Sequence, residues 1–435
     1  MQTNVGLLGY GNIGSGVAKI ILSDGELLAQ KLGWPIQLVK AAVRNPKAAR
    51  GFEPVEGLLT TNPHEIVGNP NIDIVVELMG GLEPARTLIL EALAANQHVI
   101  TANKYLLAVH GREIFAAAAK ANKAVMFEAA VAGAIPVIRA LKESLSANRI
   151  QSVYGILNGT TNHILTRMSK NLIPFKDALK EAQEAGYAEA DPSSDILGYD
   201  AAHKLTLLTA LAYGALPKIE DIYIEGITEL EPMDFSFAAE FGYVIKLLAV
   251  SSLCQDEGKL EVRLHPTMIP LGRLISGVSG VTNAVMICGH ASGDIFFSGA
   301  GAGMMPTASS VVGDILEVAR LDKTLPNLRT PALGWQNLNN LYKVKPMGEL
   351  FLRYYIRLTV EDRPGVLAAI SGVFGEHDIS LAQVIQNGHG PTTSWVTLVI
   401  LTHKAQEANV QAAIAATKAL NVVSDAKAIR LEDLN

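Results

Sequence analysis

Residues 3–14 read TNVGLLGYGNIG, and this stretch decides the fold of the amino-terminal part of the chain. The apolar run TNVGLL predicts a short buried strand, and an amphipathic stretch follows the glycines at once. Between a strand and a helix, the spacing G-x-G-x-x-G permits a tight turn and a close approach of a pyrophosphate to the backbone. The turn therefore predicts a dinucleotide site, whose contacts are Gly9, Tyr10, Gly11, Asn12, Ile13 and Gly14.

The segments that follow alternate between predicted strands and predicted helices as far as residue 130. Apolar runs at 36–43, 72–80, 98–103 and 123–130 predict strands, and the stretches 17–32, 84–96 and 111–122 predict helices. Such alternation is typical of a doubly wound parallel sheet, so we assign residues 1–130 to a Rossmann-type domain of the α/β class. Its ligand is expected outside the carboxyl ends of the strands, where Lys104 emerges after the run 98–103.

Arg44 stands at the end of the second predicted strand. Sites for NAD(H) usually place Asp or Glu there to hold the ribose 2′-hydroxyl, whereas a cation suits a 2′-phosphate. Lys47 and Arg50 lie nearby in sequence. We therefore predict a preference for NADP(H), with NAD(H) as the alternative, although an arginine at a strand end is often only a solvated charge.

Composition limits the class of protein. The 435 residues have 18% charged side chains and a net charge of −6, and the length predicts two or three domains. No basic block indicates a nucleic-acid partner, and no apolar run reaches the length of a membrane span. Cys254 and Cys288 lack metal-ligand spacing and suggest a reducing compartment. We expect a soluble cytoplasmic protein that acts on a small molecule.

A second motif, GYAEADPSSDILGYDAAHK, occupies residues 186–204. Asp200 and Lys204 are four residues apart on a helix that is predicted to begin at Ile196, so they share a face. A carboxylate and an ammonium placed together can bind an amino group and offer a proton to an oxygen. At this spacing, however, a solvated surface pair is the more common arrangement.

The strand–helix alternation ends near residue 131. We assign residues 131–305 to an α+β domain for substrate binding and dimerisation, with a β-rich segment at 217–300. A helix at 306–330 is expected to return to the nucleotide domain, and residues 331–350 predict a linker. Residues 351–430 follow the order βαββαβ, which is the ferredoxin-like arrangement.

The carboxyl-terminal module resembles an ACT domain, with the loop DRPG at 362–365 as its marker. The resemblance implies that Asp362 and Gly365 contact an amino-acid effector, for which threonine is the candidate. The alternative is that this module serves only as an assembly surface.

The whole chain resembles the homoserine dehydrogenases that carry a C-terminal ACT domain. The resemblance rests on GLLGYGNIG, TANK, FEAAVAGAIP, NGTTN, the stretch 186–204 and GAGAGMMPTASSVVGD, which span essentially residues 1–320 in the family's order. It implies reversible NAD(P)-dependent interconversion of L-homoserine and L-aspartate 4-semialdehyde, on the route to threonine and methionine. It also implies a homodimer or homotetramer.

The resemblance further implies a role for individual residues. Lys204 would be the acid and base, and Lys104 would contact cofactor and substrate, with its share in proton transfer left open. The residues implied for the substrate are Glu189 and Asp200, with Asp195 in support. Those implied for the nicotinamide are Gly186 and Gly303. Those implied for a structural Na⁺ are the Glu128 carboxylate and the carbonyls of Val131, Gly133 and Ile135.

Two alternatives to a homoserine dehydrogenase would require different residues. A dehydrogenase that forms an acyl phosphate from the same aldehyde needs a cysteine nucleophile, and neither Cys254 nor Cys288 lies beside an identifiable base in the sequence. A non-catalytic sensor of NADPH and amino acids would not need a proton donor such as Lys204 or Lys104.

Overall fold

The computed structural model describes residues 1–324, 330–335, 338, 342–387 and 395–434. Across these ranges, none of the helices combines the length and the apolar character needed to cross a bilayer. The strands form one sheet of six and one of twelve.

The amino-terminal domain is built on the six-stranded sheet, which is parallel throughout. Its strands are β1 (Thr3–Leu8), β2 (Ile36–Ala42), β3 (Leu59–Thr60), β4 (Ile74–Glu77), β5 (His98–Thr101) and β6 (Val125–Met126). Its helices are α1 (Asn12–Ser23), α2 (Gly25–Leu32), α3 (Ala85–Ala94) and α4 (Lys104–Ala121). The order β3-β2-β1-β4-β5-β6 changes direction between β1 and β4, which confirms the Rossmann-type prediction.

Two helices in this domain differ from the sequence prediction. The single helix expected after the glycine turn is broken at Asp24, where Ser-Asp-Gly forms a turn between α1 and α2. Helix α4 begins at Lys104 rather than near Gly111, because the Asn103 side chain accepts a hydrogen bond from the Leu106 amide and caps the helix.

The middle domain packs helices on a mixed sheet. Its helices are α5 (Val137–Arg139), α6 (Gly159–Asn171), α7 (Phe175–Glu184), α8 (Ser193–Ile196), α9 (Tyr199–Tyr213) and α10 (Pro232–Glu240). Its strands are β7 (Ile150–Ile156), β8 (Tyr223–Ile224), β9 (Tyr243–Cys254), β10 (Lys259–Pro270), β11 (Thr282–Gly289) and β12 (Gly293–Ala300). In this sheet β7, β9, β10, β11 and β12 pair antiparallel with one another, and β8 pairs in parallel with β10. The segment 217–300 is therefore mainly β, but it also contains α10.

The helix expected from Ile196 begins three residues later, at Tyr199, and a short separate helix precedes it. Helix α8 ends at Ile196, and Gly198 has a φ of +92°, a left-handed conformation that begins α9 at Tyr199. Helix α9 is buried along almost its whole length against β7 and β9. Its first turn is therefore held in one place by the core of the domain.

Helix α11 (Met304–Thr324) packs into the amino-terminal domain beside α1, and the rest of the predicted helix 306–330 lies largely outside the described residues. Val311 and Ile315 of α11 are fully buried in a core shared with β1 and β4. The predicted linker 331–350 is only partly described, and it contains a short strand, β13 (Lys343–Val344), that pairs with β10.

The carboxyl-terminal module has the predicted order of elements. These are β14 (Phe351–Glu361), α12 (Val366–Glu376), β15 (Leu381–Asn387), β16 (Trp395–Thr402), β17 (Ala405–Gln406), α13 (Glu407–Lys418) and β18 (Val423–Leu431). The strand order β18-β14-β16-β15 is ferredoxin-like. Strand β18 also pairs in parallel with β10, so the two domains share one twelve-stranded sheet. The sequence did not predict this connection.

Candidate active site

A cavity of about 560 Å³ lies where the amino-terminal and middle domains meet. The segments that line it are the glycine turn, the start of α4, the start of α6, the acidic stretch 186–204 and the glycine-rich loop 299–303. The predicted site residues that line it are Asn12, Ile13, Lys104, Gly133, Gly186, Glu189, Asp195, Asp200, Lys204 and Gly303.

The Asp200 carboxylate is the centre of this cavity's charges. Lys204 Nζ lies 2.7 Å from Asp200 Oδ2, and Lys104 Nζ lies 3.0 Å from Asp200 Oδ1. Lys204 also donates to the Leu157 carbonyl at 2.7 Å. One carboxylate thus joins an ammonium from the amino-terminal domain to an ammonium from the middle domain.

The Asn158 side chain links the carboxylates of Asp195 and Asp200. Its Nδ2 donates to Asp195 Oδ1 at 2.7 Å and to Asp200 Oδ2 at 2.8 Å. Its Oδ1 accepts from the Thr161 amide and caps α6. From the sequence alone, NGTTN at 158–162 predicts a turn at Asn158-Gly159 and a helix cap at Thr160 or Thr161. The cap is Asn158 instead, and its bonds to Asp195 and Asp200 were missed because these partners are distant in sequence.

The charges of this cluster shift one another's titration. Burial alone would raise the pKa of Asp200, but the two lysines hold it well below its usual range. Burial lowers the pKa of Lys204, assisted by Lys104 and opposed by Asp200. Burial raises the pKa of Asp195. The cluster therefore contains an ionised carboxylate and an ammonium that is a stronger acid than an exposed lysine.

Lys104 is positioned by the ends of β4 and β5. The buried Glu77 carboxylate accepts from the amides of Met79 and Gly80 and from the Thr101 hydroxyl. Asn103 donates to the Gly81 carbonyl at 2.7 Å. These bonds fix the start of α4, from which the Lys104 side chain, 36% exposed, reaches Asp200.

Glu189 lies on the cavity wall as an exposed carboxylate without an ion-pair partner among the described residues. Next to it, the Tyr187 carbonyl accepts from the Thr160 hydroxyl at 2.7 Å, and both residues line the cavity. Neither was predicted as a site residue. Asn283 was missed as well: it is 1% exposed beside Gly301, and neither amide atom has a partner among the described residues.

A second cavity of about 570 Å³ lies on the other side of the glycine turn and is lined by Gly9, Tyr10 and Gly11. A Cβ at Gly14 would lie 2.4 Å from the Gly9 carbonyl oxygen, which explains the third glycine, whereas space around Gly11 is open. Arg44 is exposed in this cavity. Arg50 also lines it and donates to the carbonyls of Tyr10 and Asn45.

Glu128 is buried behind the first cavity. Its two carboxylate oxygens each lie 2.9 Å from a backbone amide, those of Ile138 and Arg139. Its own amide donates to Asp314, whose pKa burial raises to about 7. The nearby Gly133 carbonyl accepts from the Ser310 hydroxyl. The structure therefore places the Asp314 carboxyl group beside Glu128, and the Glu128 carboxylate anchors the start of α5.

A third cavity, of about 410 Å³, lies beside the DRPG loop. Asp362 and Gly365 line it, and Asp362 accepts from the Gln386 side chain at 3.3 Å. Gly365 has a φ of +95° and begins α12, whose first amides face this side of the module.

Both cysteines are free, and neither lines the cavity around Asp200. Burial raises the pKa of Cys254, and it raises that of Cys288 to about 11. A thiol with a raised pKa is a poor nucleophile at neutral pH. This removes support from the alternative that requires a catalytic cysteine.

Comparison with known proteins gives one family over the whole chain. Family models match as follows: homoserine dehydrogenase at 136–316, the homoserine dehydrogenase NAD binding domain at 9–128, and the ACT domain at 354–422. A homoserine dehydrogenase of Neisseria gonorrhoeae is 42% identical over 435 residues, 99% of either chain.

Solved structures agree with this result. A homoserine dehydrogenase from Thiobacillus denitrificans has a TM-score of 0.94 at 47% identity and covers 100% of this chain and 99% of its own. A hyperthermophilic archaeal homoserine dehydrogenase mutant in complex with NADPH has a TM-score of 0.64 at 26% identity, over 76% of this chain and 100% of its own.

Replacing Asp200 by Asn is expected to lower the midpoint of thermal unfolding by several degrees. The amide keeps the shape but leaves two ammonium groups without their counter-ion, a change that typically costs about 3–5 kcal/mol at a buried pair. Asp191→Asn is the matched control, because Asp191 is exposed and, within the described ranges, its side chain bonds only to Ser193.

The pH dependence checks the same variant. The pKa of Asp200 is lowered on folding, so its contribution is complete above the unfolded value of about 3.9 and is lost as the pH falls through the folded value. The difference between wild type and Asp200→Asn should therefore narrow only below about pH 4. Equal melting shifts for both variants at pH 7 would contradict a special role for Asp200.

Proposed function

The chain belongs to the homoserine dehydrogenase family, and from this premise we propose how its residues divide the reaction. The enzyme is an NAD(P)-dependent oxidoreductase that interconverts L-aspartate 4-semialdehyde and L-homoserine. The cofactor, when bound, supplies or accepts the hydride. The protein's task is to orient the substrate, to exclude water and to move one proton to or from the substrate oxygen. The double ion pair of Asp200 with Lys104 and Lys204 carries this proposal.

Lys204 is the proposed proton donor in the direction of reduction. Its ammonium has three N–H groups, of which two are used by Leu157 and Asp200. The third is free to reach an oxygen in the cavity. A pKa lowered by burial makes this ammonium a better general acid for an aldehyde oxygen that gains negative charge as hydride arrives.

The remaining charges hold the substrate. Glu189, which is exposed and has no ion-pair partner in the described part of the chain, is proposed to bind the substrate's ammonium group. Asp200 orients both lysines and keeps acceptor capacity for the substrate hydroxyl, while Asp195 supports it through Asn158. Gly186 and Gly303 offer backbone without side chains where the nicotinamide would lie.

Replacing Lys204 by Ala should lower turnover by roughly 10²–10⁴-fold, the usual contribution of general acid catalysis, with cofactor affinity nearly unchanged. Steady-state kinetics with L-homoserine and NADP⁺, followed by absorbance of the reduced nicotinamide, measures the first, and fluorescence titration with NADPH the second. Lys180→Ala is the control, because Lys180 is exposed and its one ion pair within the part of the chain that the structure describes is with Glu184. Near-normal turnover in Lys204→Ala would move the donor elsewhere, with Lys104 as the first candidate.

We propose that the enzyme prefers NADP(H) to NAD(H). The support is Arg44, exposed at the end of β2 in the cavity beside the glycine turn, with Arg50 next to it. A guanidinium at this place matches a 2′-phosphate in charge and geometry.

Replacing Arg44 by Asp should weaken NADPH binding by about tenfold or more, since hydrogen bonds to charged groups contribute about 1.5–3 kcal/mol, and should affect NADH less. Lys47→Asp makes the same charge change outside the cavity wall and serves as control. Fluorescence titrations with both cofactors give the comparison. Unchanged NADPH affinity in Arg44→Asp would exclude the preference by this route.

A structural Na⁺ is proposed at the Glu128 carboxylate with the carbonyls of Val131, Gly133 and Ile135. Oxygen donors of this kind suit hard cations. Ala132 and Gly133 both have positive φ, 55° and 57°, which folds the segment 131–135 back on itself. The buried Asp314 carboxylate beside Glu128 adds negative charge, although Arg139 already offsets part of it.

We propose that the ACT module binds an amino-acid effector, with threonine as the candidate, in the cavity beside the DRPG loop. Asp362 can receive the effector's ammonium, and the first amides of α12 can receive its carboxylate. Isothermal titration should detect threonine binding to wild type and much weaker binding to Asp362→Asn, with Asp425→Asn of the same module unaffected. Absence of binding by threonine, methionine and isoleucine alike would remove the sensing role and leave an assembly surface.

Assembly and compartment follow the family and remain proposals. A homodimer or homotetramer is supported by the exposed edge strand β12, whose Ile295 and Phe297 are only half-buried. A cytoplasmic location is supported by Cys254 and Cys288, which are both free thiols.

A further inference from the structure

We infer that Glu225, which forms an ion pair with Arg430 of the ACT module, is a positioning residue for the acidic stretch 186–204 of the active site. The inference rests on the roles proposed above for Glu189 and Asp195. It concerns a buried ion network at the junction of β10 and β18, which the reaction does not use directly.

Arg430 of the ACT module bonds directly to side chains of the middle domain. It is 3% exposed, and within its own module it makes two hydrogen bonds to the Glu407 carboxylate, at 2.9 and 2.6 Å. Its remaining groups reach across the junction. Nη1 donates to Glu225 at 2.6 Å and Nη2 to the Tyr223 hydroxyl at 2.9 Å, and the guanidinium lies over the Tyr223 ring.

The segment that Arg430 holds lies directly against the acidic stretch. The Glu225 amide donates to the Leu264 carbonyl of β10, and the Ile227 amide donates to the Ile196 carbonyl at 2.9 Å. Gly226 lies so close that a Cβ there would be 2.4 Å from the Ile196 carbonyl oxygen. Ile196 follows Asp195 directly, so a shift of residues 225–227 is passed to this carboxylate.

The contact between residues 225–227 and Ile196 should affect the stretch 187–197 more than helix α9. Helix α9, which carries Asp200 and Lys204, is buried along nearly its whole length and is held by the core. The stretch 187–197 is mainly exposed or half-buried, and its packing depends more on its contacts with residues 224–227. Loss of the Arg430–Glu225 ion pair should therefore make Glu189 and Asp195 more mobile and leave Lys204 in place.

The same strand extends to the effector cavity. Strand β18 runs from Val423, which pairs with Val360 of the cavity wall, to Arg430, which pairs with Thr267 of β10. A change at the DRPG loop that moves β18 thus reaches residues 225–227 through one continuous strand and one ion pair.

Glu225→Gln is the test, and Glu231→Gln is its matched control. Glu231 also pairs with ACT side chains, Arg357 at 2.9 Å and Lys427 at 2.5 Å, and its side chain is 44% exposed against 39% for Glu225. Glu231, however, caps α10, and among the described residues it forms no hydrogen bond or ion pair with the acidic stretch. The two variants remove the same charge from the same domain junction at different places.

We expect Glu225→Gln to raise the KM for L-homoserine about five- to tenfold, with kcat and the KM for NADP⁺ within about twofold of wild type, because the acidic stretch would hold the substrate less tightly while Asp200 and Lys204 stay in place. Hydrogen–deuterium exchange should accelerate in peptides that cover 193–198 and 225–227. Glu231→Gln should change neither measurement.

The outcomes separate this inference from the proposed function. Equal KM values for the two glutamine variants, or unchanged exchange at 193–198 in Glu225→Gln, would overturn the positioning role. Normal turnover in Lys204→Ala would instead contradict the assignment of the proton donor, and the exchange comparison would still decide whether Glu225 holds the acidic stretch.

Discussion

The ion cluster of Asp200 with Lys104 and Lys204 is the interaction on which the active site depends. It brings together one ammonium from the end of the parallel sheet and one from the central helix of the middle domain. Buried ion pairs are rarely more stabilising than apolar packing of the same volume, because both charges lose their hydration. A cluster of this kind at the meeting point of two domains is therefore better explained by chemistry than by stability. Its contacts link the two domains, and its charges modify the pKa of Lys204, which burial lowers.

The sequence predicted those parts of the molecule that are encoded by neighbouring residues. The turn at Gly9, with a φ of +113°, and the close approach of Gly14 to its carbonyl follow from spacing alone. The face shared by Asp200 and Lys204 follows from helical periodicity. In each case, the residues that determine the geometry lie within one turn of one another, so a single sequence is sufficient.

The parts that were missed depend on contacts between distant segments. Asn158 bonds to Asp195 and Asp200 from about forty residues away, and its position in a helix cap concealed this second role. Arg430 and Glu225 are 205 positions apart. Local pattern also failed where a turn interrupts a continuous apolar periodicity, as at Asp24 and Gly198, because the amphipathic signal is the same on both sides of the break.

The pairing of β10 with β18 determines how the ACT module is attached to the middle domain. A module attached only by the segment 331–350 could bind an effector without any mechanical effect on catalysis. A module that contributes strands to the catalytic sheet cannot move independently of it, because the Thr267–Arg430 register and the ion pair to Glu225 would have to break. If the proposed effector binds beside the DRPG loop, it would act on a strand that is linked to the acidic stretch through Arg430, Glu225 and the Ile227–Ile196 hydrogen bond. On that proposal, the domain junction rather than the segment 331–350 would couple the ACT module to catalysis.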